Sequence, residues 1–190
     1  MIIAFFFTLF SLIAQLPSIA NELFWSHLLI AQGQWWRIIT GNVIHTNITH
    51  WAMNISALWL MCFVFRWSPR QITLLLLSGA CCVGLGLLLT DMQQYVGLSG
   101  VLHYLWAYSS ANEWRRGQRS SSLLCLAIVL KVGWEQWYGA SALTEQWIEA
   151  SVAINAHLVG MVCGFALALF SHQGGTSGLY SVVKSMTKRQ

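Results

Sequence analysis

Charge is what this sequence has least of. Its 190 residues include ten Lys or Arg and six Asp or Glu, 8% of the chain, against 56% hydrophobic residues. A soluble globular domain carries about a quarter charged residues. The shortage excludes a soluble domain, and the apolar residues are gathered into blocks whose length suits a hydrocarbon layer of about 30 Å. Other absences narrow the field. The five cysteines (Cys62, Cys81, Cys82, Cys125 and Cys163) are odd in number, contain no CxxC pair and all lie in apolar blocks. A disulfide framework or zinc site is therefore not implied, and no metal or cofactor is expected. No internal repeat, low-complexity linker or second domain is visible. The net charge of +4 does not signal nucleic acid, because eight of the ten basic residues sit in three short segments between or after apolar blocks. They form no stripe.

Against a requirement of about 17 to 25 residues per span, the apolar runs predict helices near 2–19, 48–65, 72–90, 98–113, 121–138 and 152–171. The expected fold is an all-α, polytopic six-helix membrane bundle, one domain over 1–190, with an outer loop at 20–47 and a tail at 172–190. Arg66 and Arg70, then Arg115, Arg116 and Arg119, then Lys184, Lys188 and Arg189 fall on one side of it. The other side has Arg37 and Lys131 with Glu22, Asp91, Glu135, Glu145 and Glu149. The positive-inside rule then puts both termini in the cytoplasm, as an even number of spans requires. Trp35, Trp36, Trp67, Trp114, Trp134 and Trp147 stand near the borders, where interfacial rings belong. A cleavable signal peptide is the other reading of the first block, but no Lys or Arg precedes it and no small-x-small site lies near Pro17.

Polar side chains inside lipid are costly and are functional candidates when they face a bundle interior. Ser99 opens the fourth block between Gly97 and Gly100, His157 lies in the sixth, and His45, His50 and Asn54 lie at the start of the second. At about 1.5 Å per helical residue, Ser99, His157, Asn54 and His50 lie about 18 to 24 Å from the basic side. Groups from three helices share one depth, and a common cavity explains that economically. The fourth helix is also short, so its amino terminus is expected inside the membrane, facing a wet recess on the outer side.

A serine hydroxyl is a weak nucleophile and needs a base within hydrogen-bond reach, a task that neutral imidazole suits near pH 7. His157 is the best-placed base. The oxyanion formed by attack on an amide needs donors fixed beforehand. His50 and Asn54, one helical turn apart, and the backbone N–H of Ser99 at a helix start can supply them. No carboxylate looks well placed to orient His157, since Asp91 lies in a loop and Glu149 precedes the sixth helix; the reading is a serine–histidine dyad. Gly160 and Gly164, spaced as GxxxG, with Gly97 and Gly100 on the fourth helix, would let two backbones approach closely. Each feature has a plainer reading alone: Ser99 as a helix cap, His157, His50 and Asn54 as interhelical hydrogen-bonding groups, the glycines as packing sites. Their conjunction at one depth favours chemistry.

With those residues in view, the sequence resembles the rhomboid family of intramembrane serine proteases over most of its length. The resemblance rests on Trp36–Arg37 in the outer loop, His45, His50 and Asn54 spaced as HxxxxHxxxN, Gly97–Leu98–Ser99–Gly100, and Ala156–His157 followed by Gly160. It implies Ser99 as nucleophile, His157 as base, and His50, Asn54 and the Ser99 amide as oxyanion hole. It also implies lateral admission of a substrate helix between the second and fifth helices, and an outer loop that braces the bundle. One departure is His103, four residues after Ser99, where many rhomboids have a tyrosine stacked on the catalytic histidine. GLSGVLH and the compact size look most like the rhombosortase branch. Its members are associated with bacterial proteins bearing a carboxy-terminal Gly-Gly motif, an apolar helix and a basic tail. The implied partners are single-span membrane proteins with such tails, together with the lipid bilayer. The implied location is the bacterial inner membrane, with the site opening to the periplasm. Two alternatives are a catalytically inactive rhomboid-like protein that binds membrane helices, and haem or proton transport through His50, His103 and His157.

Overall fold

A computed structural model describes residues 1–171; the expected tail at 172–190 lies outside the described residues. The chain starts as α1 (Ile2–Ile13) and α2 (Pro17–Leu23), which meet at a bend of 106°. This corrects the single helix expected near 2–19. Proline disfavours helical backbone at the residue before it and is itself suited to a first helical position. Leu16 is accordingly extended, and Pro17 restarts the helix in a new direction.

The region expected as an outer loop is structured. It contains the end of α2, the short strand β1 (Trp25–Ser26), α3 (His27–Ala31) and α4 (Arg37–Thr40). β1 pairs antiparallel with β2 (Gln94–Tyr95), Trp25 opposite Tyr95, and so ties this region to the approach to Ser99. Trp25 is fully buried, and its indole donates to the Gly84 carbonyl at 2.9 Å. Arg37 is 3% exposed, and its guanidinium donates to the Gln34 side chain and to the Asn21 and Phe24 carbonyls. The indole of Trp36, itself exposed, donates to the Glu22 carbonyl at 3.0 Å. The Trp36–Arg37 pair therefore clamps the carbonyls of Asn21, Glu22 and Phe24 at the end of α2.

The remaining helices are α5 (Ile48–Phe65), α6 (Pro69–Gly86, continued by a 3₁₀ turn at Leu87–Leu89), α7 (Ser99–Arg115), α8 (Ser121–Tyr138), α9 (Ala142–Ile148) and α10 (Ile154–Phe170). Asn47 caps α5 through the His50 N–H, and Ser68 with Gln71 forms a capping box on α6. α7 is central: Val101, Leu105 and Ala107 are fully buried, and α5, α6, α8 and α10 all pack on it, α10 most extensively. Large apolar side chains such as Phe63, Leu123, Leu169 and Phe170 point outward, as expected of surfaces that meet lipid.

Among the described residues two helices, Ile48–Phe65 and the Pro69–Leu89 segment, are long and apolar enough to cross a membrane; the bent α1–α2 pair raises this to three if it counts as one span. α10 is apolar but shorter. α7 is surrounded by protein and needs little lipid-soluble face. α8 carries the charged pair Lys131 and Glu135, whose ends reach into the site described next.

Candidate active site

Ser99 is the first residue of α7, and Gly97 makes the turn that puts it there. Gly97 has φ +124°, a region L side chains rarely adopt. A Cβ at Gly97 would stand 2.9 Å from His50 Cε1, so the missing side chain also makes room for the imidazole. Leu98 is buried, and its N–H donates to His45 Nε2 at 3.4 Å. His45 lies outside the spans; burial, and then the neighbouring His50, pushes it down to about 3. It is therefore a neutral ring, here used as an acceptor. Tyr95 is buried, and its hydroxyl donates to the Gly97 carbonyl. The loop before Ser99 is thus held from both sides.

His157 lies near the start of α10, where α10 meets α7 most closely. A Cβ at Gly160 would collide with the Gly100 carbonyl, and one at Gly164 with the Tyr104 carbonyl. Gly100 has Ala156 O in the same position, at 3.0 Å from its would-be Cβ. This approach brings His157 Nε2 to 2.9 Å from Ser99 Oγ. His103, one turn after Ser99, stacks on the His157 ring with centroids 4.0 Å apart and planes 13° from parallel. The ring at the position of the departure thus packs flat on His157, and its Nδ1 lies 2.7 Å from the Ser99 carbonyl oxygen.

The structure corrects one expectation outright. A carboxylate does reach His157: Glu135 Oε2 lies 2.8 Å from His157 Nδ1. Lys131, one turn earlier on α8, has its Nζ 2.8 Å from Glu135 Oε1 and 2.7 Å from His103 Nε2. In sequence both charges fall near the end of the fifth block, on the side opposite the basic segments. The signal that could have found them is their opposite sign and four-residue spacing inside an apolar block, which puts them on one helix face aimed away from lipid. His103, Glu135 and His157 are also three potential metal ligands close together. The cation among them is the protein's own, since Lys131 Nζ lies within 3.2 Å of a polar atom on each.

His50 and Asn54 follow one another by a turn of α5. Asn54 Nδ2 donates to the His50 carbonyl at 3.0 Å. His50 Nδ1 is 3.1 Å from Thr46 Oγ1, which itself donates to the Ile148 carbonyl at 2.6 Å. That bond, with Asn47 Nδ2 donating to the Trp147 carbonyl at 3.0 Å, fastens the start of α5 to α9. Above Ser99 and His50 lies a cavity of about 640 Å³, walled by Phe24, Tyr95, Ile148 and Ala153 among others, with no Asp, Glu, Lys or Arg among the described residues that line it. Its walls come from α2, β2 and the segment after α9, so the structured outer region forms its rim.

The arrangement can do hydrolytic chemistry: a hydroxyl on a base, the base on a carboxylate, and a neutral cavity at the hydroxyl. Comparison with known proteins agrees in kind. The chain is 28% identical over 156 residues to YdcA of Bacillus subtilis, whose name assigns it to the rhomboid proteases; the alignment covers 77% of this chain and 72% of that one. A segment of 31 residues is 58% identical to the rhomboid protease GluP of the same organism, and covers 16% of this chain but only 6% of GluP. The rhomboid domain pattern matches residues 32–174, which takes in the Trp36–Arg37 clamp, the serine turn and the α7–α10 contact, and so the chain belongs to the rhomboid family of integral membrane proteins.

Proposed function

We propose that the protein is an intramembrane serine endopeptidase in which Ser99 attacks the scissile carbonyl and His157 is its base. The observation that carries this reading is the 2.9 Å separation of Ser99 Oγ and His157 Nε2, between two helices and beside an uncharged cavity. In the attack, the Ser99 proton passes to His157 Nε2 as the Oγ–carbon bond forms. On collapse, the same proton goes to the leaving amine, and water later repeats the sequence on the acyl-enzyme. The oxyanion is met by the Ser99 N–H, unpaired at the start of α7, and by His50 and Asn54. His50 donates from Nε2 when Nδ1 accepts, from the Thr46 N–H at 3.5 Å or from the Thr46 hydroxyl at 3.1 Å once that turns away from the Ile148 carbonyl. Asn54 keeps one amide hydrogen beyond its bond to His50.

The substrates are transmembrane segments of membrane-anchored proteins, cut near the outer face. The six-span topology with cytoplasmic termini follows from the basic segments. Such a layout places the site on the periplasmic side of a bacterial inner membrane. His103, with GLSGVLH, supports the rhombosortase branch and, with it, substrates with carboxy-terminal Gly-Gly anchor tails. A neutral cavity suits residues as small and uncharged as glycine. The short Ser99–His157 distance favours this reading over an inactive helix-binding protein.

A fluorophosphonate probe, which reacts only with an activated serine, tests the assignment. Labelling is expected in the native protein, none in Ser99→Ala, and in His157→Ala a rate lower by about 10³-fold or more. Undiminished labelling of Ser99→Ala would remove Ser99 as nucleophile. Mass spectrometry of envelope proteins from cells carrying native or Ser99→Ala protein then reads the substrate: altered carboxy termini at Gly-Gly tails are expected, and none would remove the branch assignment.

A further inference from the structure

Resting on the reading of Ser99 as nucleophile and His157 as base, we propose that Glu135 and Lys131 of α8 are positioning residues that turn the pair into a four-membered relay. Glu135 holds His157 in the tautomer that can accept the serine proton, and Lys131 holds both Glu135 and the stacked ring of His103.

The assignment follows from donor and acceptor accounting. For Ser99 Oγ–H to donate to His157 Nε2, that nitrogen must carry a lone pair, so in neutral imidazole the proton sits on Nδ1. An Nδ1–H needs an acceptor. Lys131 Nζ at 3.2 Å has only donors; Glu135 Oε2 at 2.8 Å is the acceptor. The ammonium then has two acceptors of its own, Glu135 Oε1 at 2.8 Å and His103 Nε2 at 2.7 Å. Accepting at Nε2 puts the His103 proton on Nδ1, from which it donates to the Ser99 carbonyl at 2.7 Å. Every proton has one place, and the chain of bonds begins and ends on Ser99.

The same geometry has a consequence in the reaction. When His157 takes the serine proton it becomes a cation with a carboxylate 2.8 Å from Nδ1. The Glu135 side chain is 12% exposed and that of His157 5%, so water screens the attraction little. Lys131 opposes the new charge at 3.2 Å, so its contribution is geometric: it fixes the second carboxylate oxygen and keeps His103 flat on the base.

Four variants and one spectrum test this. In Glu135→Gln the amide oxygen would be claimed by Lys131, leaving an NH₂ facing His157 Nδ1. That favours the wrong tautomer, and a fall of about 10³- to 10⁴-fold in kcat is expected with KM nearly unchanged. Glu135→Asp, which keeps the charge, should recover part of that loss. Lys131→Met should lower kcat by about 10- to 100-fold through misplacement of the carboxylate. His157→Ala is the reference: if it labels with fluorophosphonate like the native protein, the base assignment fails. If His157→Ala is dead while folded Glu135→Gln keeps native kcat, only the present proposal fails. Should Glu135→Gln not fold, ¹⁵N-histidine NMR of the native protein decides. A His157 proton on Nδ1 that moves in Glu135→Asp supports the relay, and a proton on Nε2 overturns it.

Discussion

Two residues near Ser99 do their work by having no side chain or no charge. His45 accepts the Leu98 N–H at Nε2, and its neutral state follows from burial. Gly97 is the more exposed to test. A methyl group there would both force an L residue into φ +124° and press on the His50 ring from 2.9 Å. Such backbone strain costs about 1 to 3 kcal/mol, and His50 can relieve the clash only by leaving its present place beside Ser99. Gly97→Ala should therefore lower the fluorophosphonate labelling rate by about tenfold or more, with the protein still folded by gel filtration. A variant that labels at the native rate would mean that this turn does not hold His50 against Ser99.

The helix pair α7–α10 decides whether serine and imidazole can meet at all, and its closeness is written in glycines. Gly160 and Gly164 on α10 face carbonyl oxygens of α7, whereas Gly133 on α8 has nothing within 4 Å of its would-be Cβ. Overpacking a close contact costs about 1 to 3 kcal/mol, while Gly to Ala at an open helical site gains about 0.5 to 1 kcal/mol. Gly160→Ala should then melt lower in detergent and label slowly, and Gly133→Ala should melt no lower than native and label normally. Equal behaviour of the two would remove the close-contact argument. This contact was legible beforehand, because a GxxxG spacing states its own geometry. The bend between α1 and α2 was partly legible in Pro17. The role of Glu135 was not: counting residues from a helix border gives depth but not azimuth, and a charge three residues from the border looks interfacial until the helix face it occupies is known. The i, i+4 relation of Lys131 and Glu135 carried the missing azimuth, since two charges on one face of an apolar helix have to turn away from lipid together.

At the scale of the whole molecule, hydrophobicity is turned outward and polarity is gathered at one place inside. Buried His50, His103 and His157 cluster with Ser99, while Phe63, Leu123 and Phe170 face out. Such an inside-out distribution needs a bilayer, and the proposed direction of insertion rests on the flanking charges: Arg66 and Arg70 on one connection, Arg115, Arg116 and Arg119 on another, against a largely acidic opposite side. The five native cysteines lie in α5, α6, α8 and α10 and are buried or partly so. A thiol introduced in an exposed connection can therefore be told from them with a membrane-impermeant maleimide. Gln32→Cys after α3 and Gln146→Cys in α9 occupy exposed positions on the Ser99 side, and Gln118→Cys lies in the exposed basic turn between α7 and α8. In intact spheroplasts the first two should label and the third should label only after permeabilisation. Labelling of Gln118→Cys from outside would invert the protein and place Ser99 toward the cytoplasm. Labelling of all three from outside would break the alternation on which the six-span arrangement depends, because α8 would then begin and end on the same side of the membrane.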